Sequence, residues 1–322
     1  MSARISAVLA VAVAWTIALP VSGQTVYPNR AIRMVAPFAP GGATDFIARL
    51  ISQKLAERLG QQVVVDNRSG AGGNIGFEIV VRAAPDGYTL MIASSSYATN
   101  AALTPKLAFD PVKDVTAISL VGVAPLVLVV HPSVPARSIA ELVALAKAQP
   151  GRLKYGSSGT GASPHLAGEL FKASAGINLL HVPYKGSGPA LIDTLSGQID
   201  MTFISMLVVR SHINAGRLRL LGVGTPQRAR ALPDVPAIAE TLPGFESTSW
   251  YVVMGPARMP SALVTRLNAE VNAVVKSPEL TERLASDAVE PRMISPEETA
   301  KHVAAEITRW RTVARRAGVR ID

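Results

Sequence analysis

The side chains best able to do chemistry crowd into one stretch, Gly156-Ser157-Ser158-Gly159-Thr160-Gly161-Ala162-Ser163-Pro164-His165. Hydroxyls and an imidazole this close together admit two chemistries. One is acyl transfer, with Ser158 or Ser163 as nucleophile and His165 as base. It lacks an acidic residue to orient the histidine. The stretch also misses the Gly-x-Ser-x-Gly elbow, because Thr160 stands two places after Ser158. The other chemistry is capture of an anion by main-chain amides. Three glycines open the backbone and Pro164 begins a helix, so a negative group can rest on the helix start with no base or nucleophile. In that reading His165 packs against or caps the first helical turn. No Gly-Lys-Ser/Thr follows, so the stretch is not a nucleotide phosphate loop.

Similar stretches recur. Pro37 to Asp45 read Pro-Phe-Ala-Pro-Gly-Gly-Ala-Thr-Asp, after an apolar run and before a helical pattern in which Thr44 or Asp45 can serve as cap. Val182 to Ala190 place Tyr184, Lys185 and three glycines or prolines ahead of another helix, and Ser94 to Asn100 form a hydroxyl-rich loop after a strand. Gly70 to Gly76 invite a dinucleotide reading, but the sixth position of Gly-x-Gly-x-x-Gly is Ile75, and a tight structural turn fits better. His131, His165, His181, His212 and His302 show no His-x-x-x-His pair and no acidic cluster accompanies them, so neither a metal nor a cofactor is expected.

The elements that must position these turns alternate. Apolar runs at 32–36, 63–66, 90–93, 127–130, 153–156, 179–182, 199–204 and 218–223 predict strands. Helical spacing falls near 44–59, 75–83, 138–148, 164–175, 189–196 and 206–215. Such alternation predicts an α/β fold with largely parallel sheets. Capping boxes at Ser138–Glu141 and Ser295–Glu298 mark helix starts, and the C-terminal third is helical over 263–275, 278–286 and 296–317. Two extended stretches, 118–130 and 245–254, read as crossings between domains. Residues 24–123 with 248–322 would then make one domain and 124–247 the other.

The chain has 322 residues, a net charge of +9 and no cysteine, which excludes disulfides and thiolate chemistry. Residues 1–23 carry Arg4, an apolar run from Ile5 to Leu19 and small residues Val21-Ser22-Gly23, the pattern of an export signal. The basic balance points to anionic ligands or an acidic partner surface. Nucleic acid is a poor match, since Lys and Arg are scattered and aromatics make up only 5%.

Several motifs in order resemble the substrate-binding receptors of tripartite tricarboxylate transporters, the Bug-type extracytoplasmic solute receptors. They are Tyr27-Pro28 with the Pro37–Asp45 turn; Asp66-Asn67-Arg68 with Gly70–Gly76; Ala84-Pro85-Asp86-Gly87-Tyr88-Thr89-Leu90; Phe109 to Asp114; Tyr155 to His165; Val182 to Gly186; Gly197-Gln198-Ile199-Asp200; and Leu232 to Pro236 ahead of Pro243 to Glu246. The resemblance implies a two-domain periplasmic-binding-protein (Venus-flytrap) fold with two crossing segments. It also implies a small carboxylate held in the cleft without catalysis. The ligand would be a di- or tricarboxylate, an amino acid or an aromatic acid, delivered by a periplasmic monomer to membrane transporter subunits. A sensor that passes its bound state to a signalling partner is the alternative. The site residues so implied are Phe38, Ala39, Gly41, Gly42, Thr44 and Asp45; Ser95 and Ser96; Ser158, Gly159, Thr160, Gly161, Ser163 and His165; Tyr184, Gly188 and Ala190; and Ser205. Two positions depart from the family pattern: Tyr97-Ala98-Thr99-Asn100-Ala101, where His-Ala-x-Asn-Pro is common, and Phe203-Ile204-Ser205 after Asp200.

Overall fold

A computed structural model describes residues 27–317. The expected export signal lies outside them. In chain order the elements are β1 (Ile32–Ala36), α1 (Ala43–Leu59), β2 (Val63–Asn67), α2 (Asn74–Val81), β3 (Thr89–Ser94), α3 (Ser95–Leu103) and β4 (Val115–Val130). There follow α4 (Ile139–Ala148), β5 (Lys154–Ser157), α5 (Ser163–Ala175), β6 (Leu180–Pro183), α6 (Ser187–Leu195), β7 (Met201–Ser205), α7 (Met206–Asn214) and β8 (Arg219–Val223). The chain ends with β9 (Thr248–Pro256), α8 (Ser261–Lys276), α9 (Pro278–Ser286), β10 (Glu290–Pro291) and α10 (Pro296–Ala317).

The hydrogen-bonded path runs β2-β1-β3-β9-β4-β7-β5-β6, with β8 and β10 also on β4. The long strand β4 serves two sheets. From Val115 to Pro125 it pairs antiparallel with β9, and from Leu126 to Val130 with β7. The change of partner falls at Pro125, which has no N–H to offer a ladder. The second crossing lies alongside: Ser247 N–H donates to Gly224 O at 2.7 Å and Leu126 N–H to Ser247 O at 3.2 Å. Gly224 is there because a Cβ would stand 2.2 Å from the Ser247 carbonyl oxygen. Two lobes joined by two crossing segments result.

Each sheet is covered on both faces. In the first lobe Ile32, Met34 and Ile92 face α1 and α8, while Val35, Met91 and Trp250 face α2, α3 and α10. In the second, Leu128, Tyr155 and Phe203 pack with Phe171 of α5, and Val127, Val129 and Ile204 pack toward α7. Strands buried on both faces read as continuous apolar runs, which explains why the sequence marks them well.

Two expectations need correction. The sheets are mixed rather than largely parallel: β1 lies parallel to β2 and β3, and β5 to β6 and β7, but β4 and β9 run antiparallel to their neighbours because they carry the chain between lobes. The hydroxyl-rich stretch Ser95–Asn100 is the start of helix α3 and not a loop. Two of its side chains reach the backbone: Thr99 Oγ1 donates to Gly161 O at 2.7 Å and Asn100 Nδ2 to Gly72 O at 2.7 Å.

Candidate ligand cleft

Five helices begin around one cavity between the lobes. Its lining comprises Phe38, Gly42, Ala43 and Thr44 at the start of α1; Ser94 and Ser96 at α3; Ser158, Ser163 and Pro164 at α5; Ser187 at α6; and Ser205 at α7. Leu126 of β4 and Ser249 and Tyr251 of β9 complete it. None of the five helices has its cap position closed by a side-chain hydrogen bond, although Ser94 and Ser205 stand at two of those positions. The first amides of a helix have no partner within it, and the helix dipole adds about half a positive charge at that end. The lining itself has no charged side chain. Its positive potential is therefore backbone in origin.

The α1 start corrects the expected cap. Gly42 is the capping residue, and the Asp45 carboxylate is engaged elsewhere. It accepts from Gly41 N–H at 3.1 Å, Arg49 Nε at 3.1 Å and Asn67 Nδ2 at 2.9 Å. Burial disfavours its charge, but these donors outweigh burial and hold its pKa below the ordinary carboxylate value. Asp45 thus fixes the turn from behind, and Asn67 Nδ2 also donates to Phe38 O at 3.0 Å.

The lobes touch across the cavity mouth. Ala39 N–H donates to Lys185 O at 2.9 Å, and Ser163 N–H donates to Ser96 Oγ at 3.1 Å. Glycines permit this approach. A Cβ on Gly188 would lie 2.3 Å from Pro40 O, and one on Gly72 would lie 2.5 Å from Thr160 O. The turn read as structural, Gly70–Gly76, is therefore also part of the contact between lobes. With the lobes this close the cavity offers about 30 Å³, room for a water or two. A larger ligand must hold them slightly apart. A more open groove of about 750 Å³ beside the crossings, lined by Pro125, Thr225, Ala229, Ala288 and Pro291, is larger but has no such ring of helix starts.

Of the residues expected from sequence, Phe38, Gly42, Thr44, Ser96, Ser158, Ser163 and Ser205 line this cavity. Ala39, Gly41, Gly159, Gly161, Gly188 and Ala190 lie in the same turns without lining it, and Gly159 and Gly188 supply close backbone contact. Thr160 is exposed. Ser95 Oγ donates to Ser249 Oγ at 3.0 Å and supports the floor. The Tyr184 hydroxyl donates to Asp193 Oδ2 at 2.6 Å, which with burial keeps the phenol neutral. His165 sits behind its turn and accepts from Gly161 N–H at 3.2 Å. Neither Ser158 nor Ser163 is hydrogen-bonded to it, so the nucleophile–base pair of the hydrolase reading is not formed.

The floor was missed. Ser249 and Tyr251 alternate with Trp250 on β9, so they share a face, and that face looks into the cavity while Trp250 donates to Glu306 Oε2 at 3.2 Å on the other side. The available signal was geometric: a segment that crosses between lobes must pass under their cleft. Burial raises the Tyr251 phenol pKa, partly offset by the Ser205 and Ser249 hydroxyls. Ser205 Oγ is itself buried and completes no hydrogen bond of good geometry.

Two lobes, two crossings and a cleft of helix starts define a periplasmic-binding-protein fold. The model of the tripartite tricarboxylate transporter family receptors matches residues 47–319. The protein BugT of Bordetella pertussis is 38% identical over 322 residues, covering 99% of this chain and 98% of that one. An R. palustris protein solved with adipate is 39% identical with a TM-score of 0.87, covering 91% of this chain and 98% of its own. MatC from Rhodopseudomonas palustris, solved with bound malate, is 30% identical with a TM-score of 0.85, covering 89% and 99%. The chain belongs to the tripartite tricarboxylate transporter receptor family, of the Bug type. Its members are periplasmic solute-binding receptors and not enzymes. Among the described residues no helix is long and apolar enough to cross a membrane.

Proposed function

We propose that this receptor binds a small organic dicarboxylate in the cavity between its lobes and passes it, as a monomer, to the membrane subunits of a tripartite tricarboxylate-type transporter. The observation that carries the reading is the convergence of five uncapped helix starts on a lining without charged side chains. An amino acid suits this lining less well, because an ammonium would face the positive helix ends with no carboxylate to receive it. The relatives solved with adipate and malate make short dicarboxylates the first candidates. Residues 24–123 with 248–322 and residues 124–247 are taken as the two lobes, a division supported by the exchange of strand partners at Pro125.

The energetics suffice without an arginine. A hydrogen bond to a charged group contributes about 1.5–3 kcal/mol and a helix end roughly 0.3–1 kcal/mol. Four such bonds and five helix ends supply on the order of 10 kcal/mol, and micromolar affinity needs about 8 kcal/mol. A ligand bridging the lobes favours the closed form only through contacts it makes there.

Calorimetry of the mature protein with adipate and malate tests the reading. Ser158→Pro and Gly42→Val should each weaken binding by about tenfold or more while the circular dichroism stays native. Equal affinity in both variants would remove these turns from the site. Loss of uptake on deleting the gene supports delivery to a transporter. Intact uptake with loss of a ligand response supports the sensor reading.

A further inference from the structure

Behind the turn at 157–163, outside the cavity lining, lies a cluster of titratable groups that ligand contact does not use. His165 of α5 accepts the Gly161 N–H at its Nδ1, 3.2 Å away. His181 of β6 is held between two rings, His165 at 4.2 Å and Tyr155 at 4.8 Å between centroids. Its Nε2 lies 2.7 Å from Ser157 Oγ, which accepts Gly159 N–H at 3.2 Å and donates to Gly159 O at 3.3 Å. Two amides of the turn are thus held by imidazoles, Gly161 directly and Gly159 through Ser157.

The charged groups facing the pair come from α5. Lys172 Nζ lies 2.9 Å from both carboxylate oxygens of Glu169, and the Tyr155 hydroxyl of β5 donates to Glu169 Oε1 at 2.5 Å. At His165 this arrangement works in one protonation state. His165 accepts at Nδ1, so its proton is on Nε2 and the ring is neutral. A second proton would have to go on Nδ1, head-on to the Gly161 N–H. At 4.2 Å the two rings repel strongly if both are charged. Burial depresses both imidazoles, His181 to about 4; Glu169 opposes this and Lys172 adds to it.

We propose that His165 and His181 are positioning residues for the ligand turn, holding the Gly159 and Gly161 amides in their binding orientation only while His165 is neutral, so that acid releases the ligand. The ligand half of this inference rests on the carboxylate reading above; the turn half does not.

The test uses the mature protein, nitrogen-15 NMR without ligand, and calorimetry with adipate as probe. The amide signals of Gly159 and Gly161 should move together with the ring signals of His165 and His181 through a transition below about pH 6.5. In a His165→Asn, His181→Gln double variant that transition should vanish, because each amide group reaches the position of the nitrogen it replaces and does not titrate. Wild type should lose at least about twofold more adipate affinity than the variant once the pH has fallen far enough to half-protonate His165, since adipate's own titration is common to both. Amides that stay still while the rings titrate overturn the proposal, as does the same transition in the double variant. If the double variant does not fold, the wild-type amide titration decides alone. If the amides follow the rings but adipate binds at no pH, the carboxylate reading falls and the positioning role stands.

Discussion

Helices α4 and α10 begin at serines, as do α3 and α7 at the cavity, and they begin under opposite conditions. Ser138 Oγ accepts Glu141 N–H at 3.1 Å. Ser295 Oγ accepts Glu298 N–H at 3.1 Å, and the Glu298 carboxylate accepts Ser295 N–H at 2.9 Å. These starts face solvent and are closed by their own side chains. At the cavity the capping residues Gly42, Ser94, Ala162, Gly186 and Ser205 are buried and close nothing with their side chains. A buried donor without a partner costs about 1–3 kcal/mol, so a fold does not leave such starts together without a use for them. A cap serves stability; its omission around one cavity keeps donors for something that arrives later.

The largest expected effect comes from stopping the five starts from meeting. Gly188 lies in α6 with ordinary helical backbone, so valine suits its conformation, but its Cβ would stand 2.3 Å from Pro40 O and 3.1 Å from the Gly41 carbonyl carbon of the other lobe. Overpacking of this kind costs about 1–3 kcal/mol, here charged to closure and not to folding of either lobe. Gly188→Val should lower adipate affinity by up to about 100-fold in calorimetry, with little change in melting temperature. Native affinity in this variant would mean that the helix starts work one lobe at a time, which breaks the comparison.

Ser205→Ala sharpens it with a smaller effect. The hydroxyl is buried, lines the cavity and completes no hydrogen bond of good geometry, so its removal should leave stability unchanged or slightly higher. If it meets a charged ligand oxygen, affinity should fall about tenfold. Destabilisation without loss of affinity would make Ser205 an ordinary capping residue like Ser138.

The alternation of strands and helices was legible because the strands are buried on both faces, and the crossings because Gly122 and Pro125 interrupt an apolar run. What the sequence hid was that these interruptions lie inside one strand. Gly122 permits close approach, since a Cβ would stand 2.8 Å from Glu290 O, and Pro125 sits where the partner changes. Three of the five helix starts, those of α1, α5 and α6, were legible as glycine-rich turns feeding a helix, whereas the start of α3 read as a serine-rich loop. The fifth helix, α7, was expected at 206–215, but no turn marks its start, and Ser205 entered the site only through the family resemblance. The floor was not legible, because alternation on β9 tells which residues share a face but not where that face looks. The His165–His181 contact required β5 and β6 to pair in parallel with Tyr155 opposite His181, a register no local signal announces.

The smallest expected effect is the control on the other side of the comparison. Ser138→Ala removes a satisfied cap that faces solvent, and such losses typically cost about 1 kcal/mol. Urea unfolding should register that loss as a lower midpoint with an unchanged slope. Adipate affinity should stay at the wild-type value, because α4 begins outside the cavity and none of its residues lines it. If Ser138→Ala weakened binding as much as Ser205→Ala, capped and uncapped helix starts would be interchangeable in this molecule. The positive potential of the cleft would then have to come from the charge of the whole chain and not from the five ends that meet there.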